Sequence, residues 1–528
     1  SELMDKGKAA KSAQRSYLMM QEWQISLEHL RDQNDQDGQL FAEWIDEFKR
    51  VCDSRGWLDN AALNGWALTG FEFISDATII WLGFDLFTAA QQVWREESER
   101  RGGKHFVPPF SEAKESACIT KYVDPRAELY GVFSECREML EQDQNVQIAV
   151  VVPRLEHCLA QAQRAARQVF YPTTDPDHLQ ANHGCYEFSL GIALSEYPLI
   201  AAALNILSAL GRSLNFEQAS SLLDNPWSSL GRGTANIELL EQLRVQASNT
   251  FTLSFLFERL KKLDQKGFAA QALEQLKSIQ SDLPVKQSPG RWGEAFVNVL
   301  EQVGWSRSIE LDSAEFQQKE AWEKALGESA SLGSVKAEVR FTEALQMIRD
   351  LCNRPFQVQS GDAPLQIMGS LEMAGQSFDR VWLTGLNDQD WPGPMRPHPF
   401  VPVSLQREAG VPEADPDRFY ERAANITRRM LGSAAEIRVS FSSGEEEADA
   451  SRLITSARIN QAVPTENVLQ AKLTTVLDET GPAEASAPRA RGGASIFKNQ
   501  SQCPFRAYAI HRLGAVREPE QELGLDAS

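Results

Sequence analysis

Several residue patterns that mark particular kinds of site are absent from this sequence of 528 residues. Its seven cysteines are scattered and form no CxxC pair, which argues against a disulfide framework and favours a reducing compartment, so we expect the cytoplasm. The seven histidines show neither HxH nor HxxxH spacing, and a zinc site is therefore unsupported. No apolar run approaches the roughly 20 residues that cross a bilayer, so we expect no membrane contact.

A phosphate-binding loop of the form GxxxxGK[ST] is also missing. The nearest approach, "GGK" at Gly102 to Lys104, lacks the upstream glycine. Without a backbone cradle and its lysine, the chain has no place for the β- and γ-phosphates of a nucleotide. We therefore expect no ATP hydrolysis by these residues.

Basic residues are fewer than acidic residues. Lysine and arginine number 53 against 73 aspartates and glutamates, which gives a net charge of −20. Such a chain does not attract nucleic acid over its whole surface. Any DNA contact must come from a local basic surface, and the clearest one lies near the carboxyl terminus, with Arg489, Arg491, Lys498, Arg506, His511 and Arg512.

Hydrophobic periodicity predicts both helices and strands. "FAEWIDEFKRVC" has the spacing of an amphipathic helix, whose core-facing residues would be Phe41, Trp44, Ile45, Phe48, Val51 and Cys52. Three short apolar runs, each followed by a polar loop, predict parallel strands covered on both faces. They are Ala77 to Asp85, Val146 to Pro153 and Phe378 to Leu386. Ligands of such sheets bind beyond the carboxyl ends of the strands, which here carry Gly83 to Asp85, Pro153-Arg154 and Gly385 to Asp390.

A long helical block separates the second and third of these strands. "FTLSFLFERLKKL", "WGEAFVNVLEQVGW" and "VRFTEALQMIRDLC" each show helical periodicity. The separation exceeds ~200 residues, far more than an ordinary crossover connection. We therefore predict a helical domain inserted into an α/β domain.

Several segments in a specific order resemble known proteins. "LQIMGSLEMAGQSFDRVWLTGLNDQDWP" is similar to motif V and the following strand of superfamily 1 helicases of the UvrD type, and is closer to AddB/RexB-like proteins. With "IAVVVPRLEHCL", "PHPFVPVSLQREAGVP" and "QCPFRAYAIHRLGA", the chain resembles the bacterial family of probable DNA repair proteins that end in a PD-(D/E)XK nuclease. The resemblance runs from about Leu18 to Ala515.

The resemblance implies an α/β fold of helicase-like, RecA-like parallel-sheet domains with large helical insertions. The chain begins with Ser1 rather than methionine, so we expect a piece of a longer protein that lacks the nuclease core. The implied organisation is 1–123 for the end of domain 1A with a helical 1B part, 124–205 for the first part of domain 2A, 206–355 for the helical 2B-like insertion, 356–460 for the second part of domain 2A with motifs V and VI, 461–493 for a linker, and 494–528 for the start of the nuclease domain.

In motifs V and VI the apolar positions match the family pattern, whereas the polar positions do not. In motif V, Gly369 stands at the threonine position, Ala374 at the lysine and Ser377 at the glutamate, while Gly375 and Phe378 are retained. In motif VI the arginine finger falls on Gly432. Arg428 and Arg429 lie one turn earlier as possible substitutes.

Since we expect no ATP hydrolysis, DNA binding is the function that the resemblance still implies. Single-strand channels combine basic groups with aromatic platforms, and the candidates here are Arg154, Gly375, Phe378, Trp391, His398, Phe400, Arg506 and Arg512. The alternative is that the aromatic side chains simply pack beneath a proline-rich loop.

The resemblance also implies metal chemistry in the full-length protein. Cys503 would be the first ligand of a [4Fe–4S] cluster, which needs four thiolates, but no cysteine follows it in this chain. A nuclease would use Mg²⁺ or Mn²⁺, whereas the acidic tail from Glu518 to Asp526 is typical of a solvated charge run. We expect this chain to be catalytically inactive and the full-length protein to be a metal-dependent DNA exonuclease.

Two functions follow as hypotheses. The first is a DNA-binding, inactive helicase-like module of an AddB-like repair nuclease, which would bind single strands or duplex ends. The second is a protein-interaction scaffold that docks an AddA-like helicase-nuclease subunit, and the net charge of −20 favours it.

Overall fold

The computed structural model describes residues 6–32, 35–69, 78–108, 118–172, 184–211, 213–231, 233–245, 250–264, 267–307, 310–358, 363–444, 448–454, 459–461 and 493–511. The chain divides into two compact units, Ser1–Glu466 and Asn467–Ser528. The predicted linker, 461–493, falls almost entirely outside the described residues.

The described strands are β1 (Thr78–Ile80), β2 (Lys104–Phe106), β3 (Cys118–Tyr122), β4 (Ile148–Val151), β5 (Tyr186–Phe188), β6 (Ile192–Ala193), β7 (Pro355–Phe356), β8 (Leu365–Met368), β9 (Phe378–Leu383), β10 (Ala434–Ser442) and β11 (Ile459–Gln461). The described helices of the first unit are α1 (Lys6–Glu22), α2 (Leu27–Asp32), α3 (Gln36–Arg55), α4 (Leu63–Thr69), α5 (Ala89–Arg100), α6 (Pro125–Gln142), α7 (Leu155–Phe170), α8 (Pro198–Gly211), α9 (Phe216–Leu223), α10 (Ala235–Val245), α11 (Leu253–Leu263), α12 (Phe268–Asp282), α13 (Pro289–Gln302), α14 (Ser313–Ser331), α15 (Phe341–Cys352), α16 (Val403–Ala409) and α17 (Pro416–Leu431). In the second unit they are α18 (Ala494–Gln502) and α19 (Pro504–His511).

A seven-stranded sheet forms the centre of the first unit, in the order β11-β3-β10-β9-β4-β8-β5. Every pair of neighbouring strands in it is parallel. The predicted α/β fold with a parallel sheet and a large helical insertion is therefore confirmed. Because all the strands run in one direction, their carboxyl ends meet at a single edge.

The sheet is covered on both faces, as the apolar run at β4 predicts. All four residues of β4 are buried. Ile148 and Val150 belong to a core cluster with residues of α6 and α7. Ala149 and Val151 point to the opposite face and belong to a second cluster with residues of α17. This alternation follows from the period of two along a strand.

The helical insertion has its own core. Helices α8 to α15 enclose a separate cluster in which Trp292, Phe296 and Trp322 are almost completely buried. The chain enters and leaves this block through β6 and β7, which pair antiparallel. The three helices predicted from periodicity correspond to α11, α13 and α15, so that prediction is confirmed.

Two details of the amino-terminal region differ from the sequence prediction. Phe48 of α3 is 45% exposed rather than core-facing, while Phe41 and Ile45 are buried. The first apolar run forms β1, which pairs with β2 in a separate two-stranded parallel sheet. Ile80 is 58% exposed in β1, so the expectation that this run is covered on both faces is wrong.

Two glycines, one closely packed in α6 and one exposed in α14, test how tightly the helices pack. A methyl group at Gly131 of α6 would lie 2.5 Å from the ring of Tyr122 in β3, so Gly131→Ala should lower the free energy of unfolding by about 1–3 kcal/mol. Gly327 of α14 is exposed and meets nothing within 4 Å, so Gly327→Ala should raise it by about 0.5–1 kcal/mol. Urea unfolding measures both, and effects of the same sign would contradict this account.

Candidate functional site

The carboxyl edge of the sheet carries a small cavity of about 120 Å³. Parallel sheets bind ligands at this edge. Side chains from the start of α6, from the ends of β4, β9 and β10, and from the loops that follow β4 and β9 line it, among them Glu128, Arg154, Thr384, Asn387 and Asp390.

Glu128 lines this cavity and is only 2% exposed. Its Oε1 accepts hydrogen bonds from the hydroxyl groups of Thr384 and Ser440, each at 2.7 Å, and from the amide of Gly385 at 2.8 Å. The indole of Trp382 donates in turn to Ser440 Oγ. One carboxylate oxygen thus ties α6 to the ends of two strands, which is a structural use of a buried charge.

An ion pair lies at the mouth of the cavity. Arg154 follows β4, and its guanidinium lies 3.0 Å from Asp390 Oδ1. Asn387 holds Asp390 in place, because its Nδ2 donates to Asp390 Oδ2 and its Oδ1 accepts from the Asp390 amide. The cation predicted for DNA contact is thus paired within the chain, with its side chain 32% exposed.

A second, larger cleft of about 430 Å³ lies between α1, the loop after β1 and residues before and within α17. Asp85, from the loop after β1, is a lining residue of this cleft and forms an ion pair with Arg429 of α17 at 2.6 Å. Both side chains are more than nine-tenths buried. Arg429 also donates to the carbonyl oxygens of Gly83 and Ser370. We call this arrangement the Arg429 latch, because it joins the β1 segment to the sheet.

Burial controls the ionisation of groups in this cleft. Desolvation raises the pKa of the Asp85 carboxyl, and the guanidinium of Arg429 opposes that rise. Desolvation also raises the pKa of Glu22, and the nearby carboxylate of Glu413 adds to the effect. The pKa of His398 is lowered, mainly by burial, so the neutral imidazole is favoured there.

Three aromatic residues that are candidates for DNA contact pack against other side chains of the protein, one of them buried and two partly buried. Trp391 is 7% exposed, and its indole donates to Thr427 Oγ1 at 2.8 Å. Phe378 packs against the core that includes β9, and Phe400 contacts the rings of Phe41 and Trp44. The burial of Trp391 favours the alternative of aromatic packing at that position, whereas DNA contact by Phe378 and Phe400, which are only partly buried, stays a prediction.

The other predicted residues are distributed over both units. Gly375 is exposed, with a φ of +78°, and His398 lines the larger cleft. In the second unit Arg506 and Cys503 are exposed on the α18–α19 segment. Arg512 lies outside the described residues.

Cys503 is the one residue of this chain that the resemblance assigns to a metal group. Cys503 is an exposed free thiol, and no later cysteine exists in the sequence to complete four ligands. Among the residues that the structure describes, no cluster of three or more histidine, cysteine or acidic side chains could hold a metal ion.

Sequence reasoning missed Glu128 altogether. A glutamate in the first turn of a helix is ordinary, and nothing in its spacing signals burial beneath two strands. Asp85 and Arg429 were each singled out, but for different reasons, and only the fold brings them into contact.

Comparison with known proteins did not assign this chain to a family. A scan against models of protein families gave no match, and no curated protein matched the chain. Within the described residues, no helix combines the length and the hydrophobicity of a membrane span.

Proposed function

We propose that this chain is a helicase-like module without a motor, which binds DNA for an AddB-like repair nuclease. The observation that carries the proposal is the Arg429 latch. The arginine nearest to the motif VI position is engaged by Asp85 and by two backbone carbonyl groups. Both terminal nitrogens are engaged within the chain and the side chain is 8% exposed, so a phosphate has little access to this guanidinium.

The motif V region supports the same conclusion. A methyl group at Gly83 would lie 2.5 Å from the side chain of Ala374. Ala374 stands where the resemblance expects a lysine, and it is packed against the loop after β1. Position 374 therefore lies close against the backbone of Gly83.

A local basic segment supports DNA binding. Six lysine and arginine residues and no acidic residue lie between positions 485 and 517, although the whole chain carries a charge of −20. Phosphate neutralisation by such a segment supplies salt-dependent affinity. Within its described part, Lys498 and Arg506 are exposed.

Fluorescence anisotropy of the 528-residue chain tests the proposal with single-stranded, blunt and forked DNA at two salt concentrations. We expect binding that weakens as salt rises, and no ATP hydrolysis with or without DNA. Charge reversal at Arg506 and Arg512 should weaken binding. The matched control, Arg291→Glu, changes an exposed arginine of the helical insertion and should leave binding unchanged.

ATP hydrolysis by the purified chain, or a folded sample that binds no DNA at low salt, would contradict the proposal. The second result favours a scaffold that docks an AddA-like helicase-nuclease subunit. One observation supports this alternative, because β1 and β2 leave Ile80 and Phe106 more than half exposed, and exposed apolar patches mark protein contacts. Co-purification with such a subunit would then be the decisive measurement.

A further inference from the structure

The helical insertion and the sheet of the first unit have separate hydrophobic cores. The buried cluster of the insertion contains only residues from Leu194 to Cys352, and the clusters around the sheet and the amino-terminal helices contain none of these residues. The chain passes between the two bodies through β6 and β7, which have two residues each. We call this pair the neck. A few residues of this kind are enough to act as a hinge, so the neck by itself does not fix the orientation of the insertion.

A side chain from the amino-terminal region bonds to the insertion. Nη1 of Arg55, the last residue of α3, donates to the carbonyl oxygens of Ser334 at 2.9 Å and of Val335 at 3.2 Å. Both carbonyl groups lie at the end of the short 3₁₀ turn that continues α14. The last carbonyl groups of a helix lack partners within it, and the helix dipole places partial negative charge there. The guanidinium of Arg55 therefore supplies the positive charge and the donors that this helix end lacks.

The local sequence holds Arg55 ready for this contact. Helix α3 ends at Gly56, whose φ of +64° lies in the left-handed region and whose amide donates to the carbonyl groups of Asp53 and Cys52. The amide of Trp57 also donates to the carbonyl of Cys52, at 2.9 Å. This turn folds Trp57 back against the helix end, and the guanidinium carbon of Arg55 lies 4.6 Å from the centre of the indole ring. Stacking on the ring restricts the planar guanidinium before it meets the insertion.

Helix α3 belongs to the sheet side of the neck. Phe41 and Ile45 of α3 share one buried cluster with Val401 and Leu405, which lie between β9 and α17. Arg55 therefore connects a helix that packs with the sheet body to a helix that packs with the insertion.

We infer that Arg55 is a clamp that holds the helical insertion in one orientation relative to the sheet, with the neck as the pivot. Arg55 acts as a positioning residue, since its contacts are with the chain itself. Two charge-assisted hydrogen bonds at a helix end and a stacked ring favour the clamped orientation by about tenfold. The contact is exposed, so salt should weaken it. This inference goes beyond the proposed function, because the chain should be clamped without DNA.

Pulsed electron paramagnetic resonance tests the clamp, with spin labels on genetically encoded amino acids that replace Glu43 of α3 and Glu323 of α14, both exposed. We expect one narrow distribution of label distances for the 528-residue chain with Arg55 in place. Arg55→Ala should add a second set of distances and lower the ratio of clamped to released chains by about tenfold. Arg55→Lys keeps the charge but loses the planar fork, so it should restore the narrow distribution only in part. Raising the salt concentration should broaden the distribution of the chain that retains Arg55.

The matched control is Arg50→Ala, which removes another exposed arginine of α3. Arg50 pairs with Glu47 of its own helix, so the distances should stay as they are with Arg55 and Arg50 both in place. Identical distributions with and without Arg55 would overturn the inference, and so would a broad distribution at low salt in the chain that retains Arg55. Equal broadening by Arg50→Ala would trace the effect to α3 in general and would also overturn it.

Discussion

Arg429→Met should lower the free energy of unfolding by about 3–5 kcal/mol, because it leaves the buried carboxylate of Asp85 without its partner. The two side chains are 8% and 7% exposed, so little solvent reaches them to replace the lost interaction. The carbonyl groups of Gly83 and Ser370 would lose their donors at the same time. Urea unfolding followed by tryptophan fluorescence measures the loss.

The neighbouring arginine provides the control. Arg428 is exposed and bonds only to Asn425 among the described contacts, so Arg428→Met should change stability by less than about 0.5 kcal/mol. The double variant Asp85→Leu, Arg429→Met should recover much of the loss, since apolar replacement of a whole buried pair is often neutral. Equal losses for Arg428→Met and Arg429→Met would contradict the latch.

The loss of stability caused by Arg429→Met should also depend on pH. Burial raises the pKa of Asp85 and Arg429 opposes the rise, so removal of the arginine raises that pKa further. A carboxyl with a raised pKa in the folded state favours folding at low pH, and the benefit disappears as pH rises through that pKa. The stability deficit of Arg429→Met should therefore be largest near neutral pH and narrow as pH is lowered. A deficit that widens on acidification would exclude this explanation.

Glu128→Ala is the second substitution with a large expected effect, a loss of about 3 kcal/mol or more. It removes the single acceptor that serves the hydroxyls of Thr384 and Ser440 and the amide of Gly385. The buried hydroxyls of Thr384 and Ser440 and the half-buried amide of Gly385 would then lack this acceptor. The same urea experiment measures the change.

Two variants distinguish the loss of the Glu128 hydrogen bonds from a general effect of substitution in helix α6. Glu128→Gln keeps an acceptor oxygen and loses only the charge, so it should cost clearly less than alanine. Glu138→Ala, at an exposed position of the same helix α6, should be nearly neutral. If glutamine and alanine at position 128 were equally damaging, the hydrogen bonds would not be the source of the stability.

The latch and the Glu128 network both use polar side chains of the two clefts for contacts within the chain. Asp85 engages Arg429, Asp390 engages Arg154, and Glu128 collects three donors. Parallel-sheet proteins commonly leave such groups for a ligand. This chain uses them to join its own segments, which supports the proposal of a module without a motor.

The sequence by itself determined the local elements. The buried run at β4 and the periodicity of α11, α13 and α15 follow from hydrophobic spacing, because strands repeat every 2 residues and helices every 3.6. The parallel α/β class follows from apolar runs that lack alternation. These patterns are local, so they can be read without knowing which segments meet.

Only the tertiary structure decided which residues share a site. Asp85 and Arg429 of the latch are 344 positions apart, and Glu128 meets Ser440 across 312 positions. The burial of Trp391 likewise depends on Thr427 of α17. Charge pairing and ring burial depend on distances in space. Strand order sets those distances, and no periodicity in the sequence encodes that order.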